Sequence, residues 1–186
     1  MRLPSLLLLL ISILIISILV NSSTSEGAVI ETNDMPGHLA RRFQQIAVAV
    51  FLAEVERAGF DLTPVQYAAL AAIHATPGID QITLAGLIAY DRTTITGVID
   101  RLVQKGLVLR QASPRDRRAR ALVITGDGQK TLQAITPAVE AAQRLMVRGL
   151  SGPEQQELTR LLKKAIAAGN ALSRAPLRDA AAGERG

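Results

Sequence analysis

The sequence predicts a mainly α-helical fold with one small β-wing. Alanine and leucine are abundant and aromatic residues make up only 3% of the chain, a composition that favours helix. Long stretches on both sides of the centre repeat apolar residues at helical spacing, and two short apolar runs in the centre flank an arginine-rich loop. The 186 residues suffice for one ordinary domain with a substantial core.

The central helix is predicted over residues 91–105. Its apolar residues recur at intervals of three and four, so they share one face that we expect to be buried: Ile95, Val98, Ile99 and Leu102. We expect Asp91 to cap its N-terminus and Gly106 to follow its C-terminus. The opposite face is small and polar, which lets a helix lie deep in the major groove of DNA. The residues on that face are Thr93, Thr94, Thr96, Gly97, Asp100 and Arg101.

Two short strands follow, 107–109 and 121–124, and the loop 110–120 between them is the predicted wing. This is the order of parts in a winged helix-turn-helix. Residues 91–120 contain eight basic and three acidic side chains, an excess of five that equals the net charge of +5 of the whole chain. A solvated arginine loop would show the same charge run. Beside a slim polar helix, however, a local positive field is typical of a surface that binds double-stranded DNA.

The predicted DNA-binding residues comprise the polar helix face and the cations near it. They are Arg92, Thr93, Thr94, Thr96, Gly97, Arg101, Lys105, Arg110, Arg115, Asp116, Arg117, Arg118 and Arg120.

Residues 91–128 resemble the DNA-binding core of the multiple-antibiotic-resistance regulator (MarR) family of transcriptional regulators. The likeness is carried by DRTTITGVIDRLVQKGLV and by SPRDRRARALVIT followed by a glycine. In that family an Asp-x-Arg pair at the wing tip sends the arginine into the minor groove while the aspartate holds it. The resemblance implies these roles for Asp116 and Arg118. Gly97 departs from the family pattern, because many relatives carry a basic residue there.

Three further helices are predicted before the central one. A long helix spans 38–58. The next begins at Thr63, which forms a capping box with Gln66 three residues later. A short helix of sequence LAGLIAY, capped by Thr83, precedes the central helix, with residues 90–91 as the turn between them.

Two amphipathic helices are predicted after the wing, one running to about residue 148 and one starting at Ser151. These two and the first helix have no partner within the winged unit. In the resembled family the terminal helices interlock as a twofold dimer, so the resemblance implies a homodimer; a monomeric helical cap is the alternative. The predicted domains are 34–62 (N-terminal dimerisation helix), 63–124 (winged helix-turn-helix), 125–173 (C-terminal dimerisation helices) and 174–186 (flexible tail).

Residues 1–33 conflict with the rest of the sequence. Residues 3–20 are almost continuously apolar and follow Arg2, as in a secretory signal or a short membrane span. Residues 21–33 are polar and small, as in a linker. Three interpretations stay open: an over-extended gene start with the protein beginning near Met35, an inner-membrane anchor, or export.

The resemblance also implies an effector. Members of the family commonly release DNA when a small aromatic acid binds between the dimer helices and the winged domain. The residues that could offer rings or cations to such a carboxylate are His38, Arg41, Arg42, Phe43, Tyr67 and His74. At helical spacing, however, Tyr67 and His74 are more often core residues, and residues such as Arg41 and Arg42 are more often solvated or paired.

Several functions are excluded by composition. The chain has no cysteine, so it has no disulfide, thiolate metal site or cysteine nucleophile, and its two histidines lie far apart in sequence. No glycine-rich phosphate loop follows a strand. We therefore expect no enzyme, no cofactor and no metal.

The expected function is that of a cytoplasmic, nucleoid-associated, ligand-responsive repressor that binds a pseudo-palindromic operator. The alternative is a membrane-anchored helical protein that uses the same domain for partner or DNA binding.

Overall fold

The computed structural model describes residues 32–112, 120–173 and 175–177. Three predicted features therefore lie wholly or largely outside the described residues: the apolar leader, the wing tip at 113–119 and the tail from 174 onward. None of the helices within the described ranges is long and apolar enough to cross a membrane.

The chain comprises two compact units, Met1–Phe43 and Gln44–Gly186. The described part of the first contains a 3-10 helix, Thr32–Asp34, and the start of the first α-helix; the second contains the remaining elements. In chain order the elements are α1 (Pro36–Arg57), α2 (Pro64–Ala75), β1 (Ile79–Asp80), α3 (Gln81–Leu87), α4 (Arg92–Gln104), β2 (Val108–Ala112), β3 (Arg120–Ile124), α5 (Gly126–Met146) and α6 (Gly152–Gly169), with a last 3-10 helix at Asn170–Leu172.

Two capping boxes confirm the predicted starts of α2 and α6. The backbone N–H of Gln66 donates to the hydroxyl oxygen of Thr63 at 3.3 Å, and the backbone N–H of Thr63 donates to the side-chain oxygen of Gln66 at 3.1 Å. At α6 the Ser151 amide donates to the Glu154 carboxylate at 2.8 Å. Each box satisfies backbone amides that the first turn of a helix leaves without an intrahelical acceptor.

The prediction for α3 is wrong in its start and its cap. The helix begins at Gln81, and the carboxylate of Asp80 accepts from the amides of Ile82 and Thr83 at 2.8 and 2.9 Å. The Thr83 hydroxyl donates to the same carboxylate at 2.6 Å, so Thr83 supports the cap instead of forming it. Burial alone would raise the pKa of Asp80, but these hydrogen bonds outweigh it and lower that pKa. The helix also ends earlier than predicted, and the connection to α4 is 88–91, with Ala89 at a φ of +52°.

The sheet has three antiparallel strands in the order β1–β3–β2. The sequence reasoning missed β1, because two residues are too short to show an alternating pattern. The two predicted wing strands were also too short on the side of the loop. Strand β2 continues to Ala112, and β3 begins at Arg120, which pairs with Ala112. Arg110 and Arg120 are thus strand residues, and the predicted loop 110–120 is wrong at both ends. Backbone ladders do not require apolar side chains, so the exposed part of the hairpin gives no hydropathy signal.

The core of the second unit forms where α4 packs against α2, α3 and β2. The predicted stripe of α4 is confirmed, because Ile95, Ile99 and Leu102 are fully buried and Val98 nearly so. The largest fully buried side chains outside α4 are Leu70, Ile73, Leu84, Leu122, Ile135, Val55 and Val108.

Gly128, in the first turn of α5, is a point of close backbone approach. A Cβ built there would lie 2.2 Å from the carbonyl oxygen of Leu107 and 2.7 Å from Cγ1 of Ile124. The same carbonyl accepts from the Thr125 amide at 3.0 Å, so it is held in place. Only glycine fits here without displacing the start of the hairpin.

We expect Gly128→Ala to destabilise the protein by about 1–3 kcal/mol, the usual cost of forcing a methyl group into a packed site. The matched control is Gly126→Ala in the same turn, where an added Cβ meets nothing within 4 Å. It should be neutral or slightly stabilising, because alanine favours helix over glycine by up to about 1 kcal/mol. Urea unfolding of both variants measures the difference, and equal stabilities would contradict this packing account.

Candidate nucleic-acid interface

The outer face of α4 is the candidate interface. While the apolar stripe is buried, every polar position predicted to face outward and described by the structure is exposed: Thr93, Thr94, Thr96, Gly97, Asp100 and Arg101. Gly97 has open space where a Cβ would stand. A helix with this surface can approach the floor of a DNA groove closely.

Asp91 organises the N-terminal turn of α4. Its carboxylate accepts from the amides of Thr93 and Thr94 at 3.0 and 2.8 Å and from their hydroxyls at 2.5 and 2.7 Å. The Thr93 hydroxyl contributes most to holding the pKa of this exposed carboxyl well below its ordinary value, followed by the amide and hydroxyl of Thr94. Since both hydroxyls donate to Asp91, they present oxygen lone pairs rather than hydrogens to a neighbouring base edge.

Thr96 is held by a neighbouring helix. Nε2 of Gln81, the first residue of α3, donates to Oγ1 of Thr96 at 2.5 Å. Sequence reasoning did not identify Gln81, because a contact between residues 15 positions apart leaves no local pattern. The bond links the two helices of the helix-turn-helix on the side that α4 exposes.

Lys105, predicted as a DNA contact, also has a protein partner. Its Nζ donates to the backbone oxygen and to Oδ2 of Asp61, both at 2.6 Å. Lys105 thereby lowers the pKa of Asp61, and the nearby charge of Arg101 adds to the effect. The bond ties the C-terminus of α4 to the connection between α1 and α2.

Arg110, a further predicted contact, pairs with Asp100 at 2.6 Å between Nη2 and Oδ1. Arg101 and Arg120 are exposed, the first on α4 and the second at the start of β3. The side chain of Arg92 is outside what the structure describes. So are all atoms of the predicted wing-tip contacts Arg115, Asp116, Arg117 and Arg118.

The predicted effector residues are divided between the two units. His38, Arg41, Arg42 and Phe43 belong to the first, Tyr67 and His74 to the second. The Tyr67 ring is half-buried and lies 6.0 Å from the ring centre of Phe51, tilted by 57°, which is typical of core aromatic packing. His74 is exposed near the end of α2. Within the described ranges no three metal-binding side chains come together.

Two successive helices joined by a short connection, α3 and α4, followed by the antiparallel strands β2 and β3, have the arrangement of a winged helix-turn-helix protein. The sequence profile of the MarR family matches residues 62–119. The transcriptional regulator HosA of Escherichia coli O111:H- is 35% identical over 104 residues, which are 56% of this chain and 77% of HosA. The chain belongs to the MarR family of transcriptional regulators, which confirms the resemblance and the fold class.

Solved structures agree with this assignment. The PcaV transcriptional regulator of Streptomyces coelicolor, in complex with its natural ligand, superposes with a TM-score of 0.70 at 30% identity and covers 76% of this chain and 99% of PcaV. BpsR of Bordetella bronchiseptica, whose DNA binding is regulated by 6-hydroxynicotinic acid, gives a TM-score of 0.67 at 29% identity and covers 71% of this chain and 93% of BpsR.

We expect Asp91→Ala to lower the melting temperature, because the first turn of α4 loses the acceptor of four hydrogen bonds. Asp91→Asn is the matched control, since it removes the same charge and keeps an oxygen that can cap the helix. The lowered pKa means that the charged cap stabilises the fold above the unfolded-state pKa of aspartate and is lost as the pH falls through the lower folded-state pKa. Thermal melts between neutral and acidic pH measure both effects. Identical melting of the two variants would contradict the capping role.

Proposed function

We propose that the protein is a ligand-responsive repressor that binds a pseudo-palindromic operator in double-stranded DNA as a homodimer. The observation that carries the proposal is the outer face of α4, which is exposed, small and polar, with Arg101 on it and Arg120 on the adjoining sheet. Such a face can enter the major groove, while the cations engage phosphates on either side.

The bound homodimer would repress transcription by occluding a promoter. The described cations and the wing arginines Arg115 and Arg117 would contact phosphates, and Arg118, held by Asp116, would enter the minor groove. Each neutralised phosphate releases counterions, so affinity should fall steeply as the salt concentration rises.

The homodimer proposal is supported by apolar surface that a single chain leaves uncovered. Helix α6 contains no buried residue. Three large apolar side chains on it are exposed, Leu161 by 47%, Leu162 by 39% and Ile166 by 60%. Leu162 and Ile166, four residues apart, share one helical face, and Leu161 lies at the edge of the same apolar stripe. Monomeric proteins rarely expose contiguous apolar patches of this kind, and a second copy of the chain would cover them.

A twofold dimer fixes the geometry of the operator. The two copies of α4 would enter successive major grooves on one side of the duplex, about 34 Å or one helical turn apart. The operator should therefore be an imperfect palindrome with half-sites about 10 base pairs apart. We assign 63–124 to DNA binding, and 34–62 together with 125–173 to dimerisation.

The effector we propose is a small aromatic carboxylate. The support is the regulation of BpsR by 6-hydroxynicotinic acid, an acid of this chemical class, and the rings and cations that the six candidate residues offer. Those residues are His38, Arg41, Arg42, Phe43, Tyr67 and His74. Because its target is chromosomal DNA, we place the protein's action in the cytoplasm.

DNA binding is tested by fluorescence anisotropy with the duplex upstream of the protein's own gene, at a series of salt concentrations. We expect Arg101→Ala to weaken binding and to reduce the slope of log affinity against log salt by about 1, as the loss of one phosphate contact should. The control is Lys130→Ala on α5, whose side chain is 82% exposed and lies in an i,i+3 pair with Asp127. It should leave the slope unchanged. Absence of binding by the parent, or binding that does not depend on salt, would contradict the proposed function.

Dimerisation is tested by sedimentation of Ile166→Asp. A charge on the uncovered α6 face should convert a dimer into a monomer, because burying an unpaired carboxylate costs several kcal/mol. The matched control is Ile82→Asp on α3, where the isoleucine is 50% exposed but lies outside the proposed dimer helices. It should remain dimeric. A dimeric Ile166→Asp variant would rule out this face as the interface.

A further inference from the structure

Asp100 places a negative charge on the face of α4 that is proposed to meet DNA. Its side chain is 55% exposed and points to the same side of the helix as Thr93, Thr96 and Gly97. Taken alone, this carboxylate would repel the phosphate backbone and weaken binding. Asp100, however, forms an ion pair with Arg110 of β2.

The sheet register explains how Arg110 reaches Asp100. Arg110 lies directly opposite Leu122 on β3 and two positions after Val108 on β2. Opposed residues and residues two apart share one face of an antiparallel sheet. Leu122 is 1% and Val108 0% exposed, so this face is the one that packs on the helices.

The intervening residue points the other way. Leu109 is 49% exposed, as expected for the outer face of the sheet. Arg110 therefore extends along the helix-facing side, where β2 packs against α4, and its side chain is only 31% exposed. From there its guanidinium donates to Asp100 at 2.6 Å.

We propose that Asp100 is a positioning residue for DNA binding. By holding Arg110, it fixes the angle between the DNA-reading helix and the strand that leads into the wing, so that both can engage one duplex together. The hydrogen bond is charge-assisted, and it joins the helix to the strand that packs against it. This inference rests on the proposed DNA binding and adds a residue that the predicted DNA-binding set does not contain.

Charge and position make opposite predictions for the same substitution. Asp100→Asn removes a negative charge from the DNA-facing surface, so electrostatics alone predicts tighter binding. If Asp100 acts by holding Arg110, the substitution weakens binding, because the amide is a poorer partner for the guanidinium and β2 loses its fixed orientation relative to α4. The sign of the effect distinguishes the two.

The test measures operator affinity of the full chain by anisotropy for four proteins: the parent, Asp100→Asn, Arg110→Gln and the double variant. We expect Asp100→Asn to weaken binding by about 2- to 5-fold, the range for loss of one partly exposed ion pair. In the Arg110→Gln background Asp100 has no guanidinium to hold, so there Asp100→Asn should not weaken binding. Melting temperatures should stay close to that of the parent.

The matched control is Asp127→Asn, which removes one exposed carboxylate from α5, where it lies 3.7 Å from Lys130. It should leave affinity unchanged or slightly raise it. Tighter or unchanged binding by Asp100→Asn, or equal weakening in both backgrounds, would overturn the positioning role while leaving the proposed function intact. Failure of the parent to bind any upstream duplex would instead overturn the proposed function itself.

Discussion

Burial of the apolar stripe of α4 is the constraint on which the rest of the structure depends. Ile95, Ile99 and Leu102 are fully buried among α2, α3 and β2, and each such side chain contributes about 1.5–3 kcal/mol when removed from water. Because the apolar stripe can be buried in only one rotation of the helix about its axis, the polar face must point outward. The same packing that stabilises the domain therefore presents the surface that is proposed to read DNA.

The apolar core fixes the position of α4 approximately, and three polar contacts restrict that position further. Gln81 holds Thr96, Lys105 reaches Asp61 and Arg110 pairs with Asp100, so α4 is tied to α3, to the α1–α2 connection and to β2. Exposed ion pairs of this kind contribute little to folding stability. Their effect is on geometry, since they restrict the small rotations that a hydrophobic interface still permits. A DNA-binding protein depends on such restriction, because a side chain that is out of place cannot contact its base.

Much of this fold could be predicted from the sequence because its signals are local. The stripe of α4, the capping boxes at Thr63 and Ser151 and the left-handed Gly106 each lie within a few consecutive residues, and the structure has all of them. Asp80 was missed as a cap because Thr83, which donates to it, is also a common capping residue. Strand β1 was missed because it consists of two residues and becomes a strand only by pairing with β3.

The candidate site was predictable in composition but not in its internal bonds. Residue types and charge identified the outer face of α4 and its surrounding cations. The partners of Thr96, Lys105 and Arg110 lie 15, 44 and 10 positions away, and nothing in the spacing of those residues indicates that they meet. The uncovered face of α6 is similar: its stripe is visible in the sequence, but that a single chain leaves it exposed is a property of the folded molecule.

In the proposed homodimer, two copies of α4 related by a twofold axis contact one side of a duplex. A hydroxyl-radical footprint of the purified protein on the DNA upstream of its gene tests this most directly, since the cleavage pattern records which sugars the protein covers on each strand. We expect two equivalent protected segments related by a twofold axis, with centres about one helical turn apart. A single protected segment without a symmetric counterpart, or no protection at concentrations where the protein is folded, would contradict it.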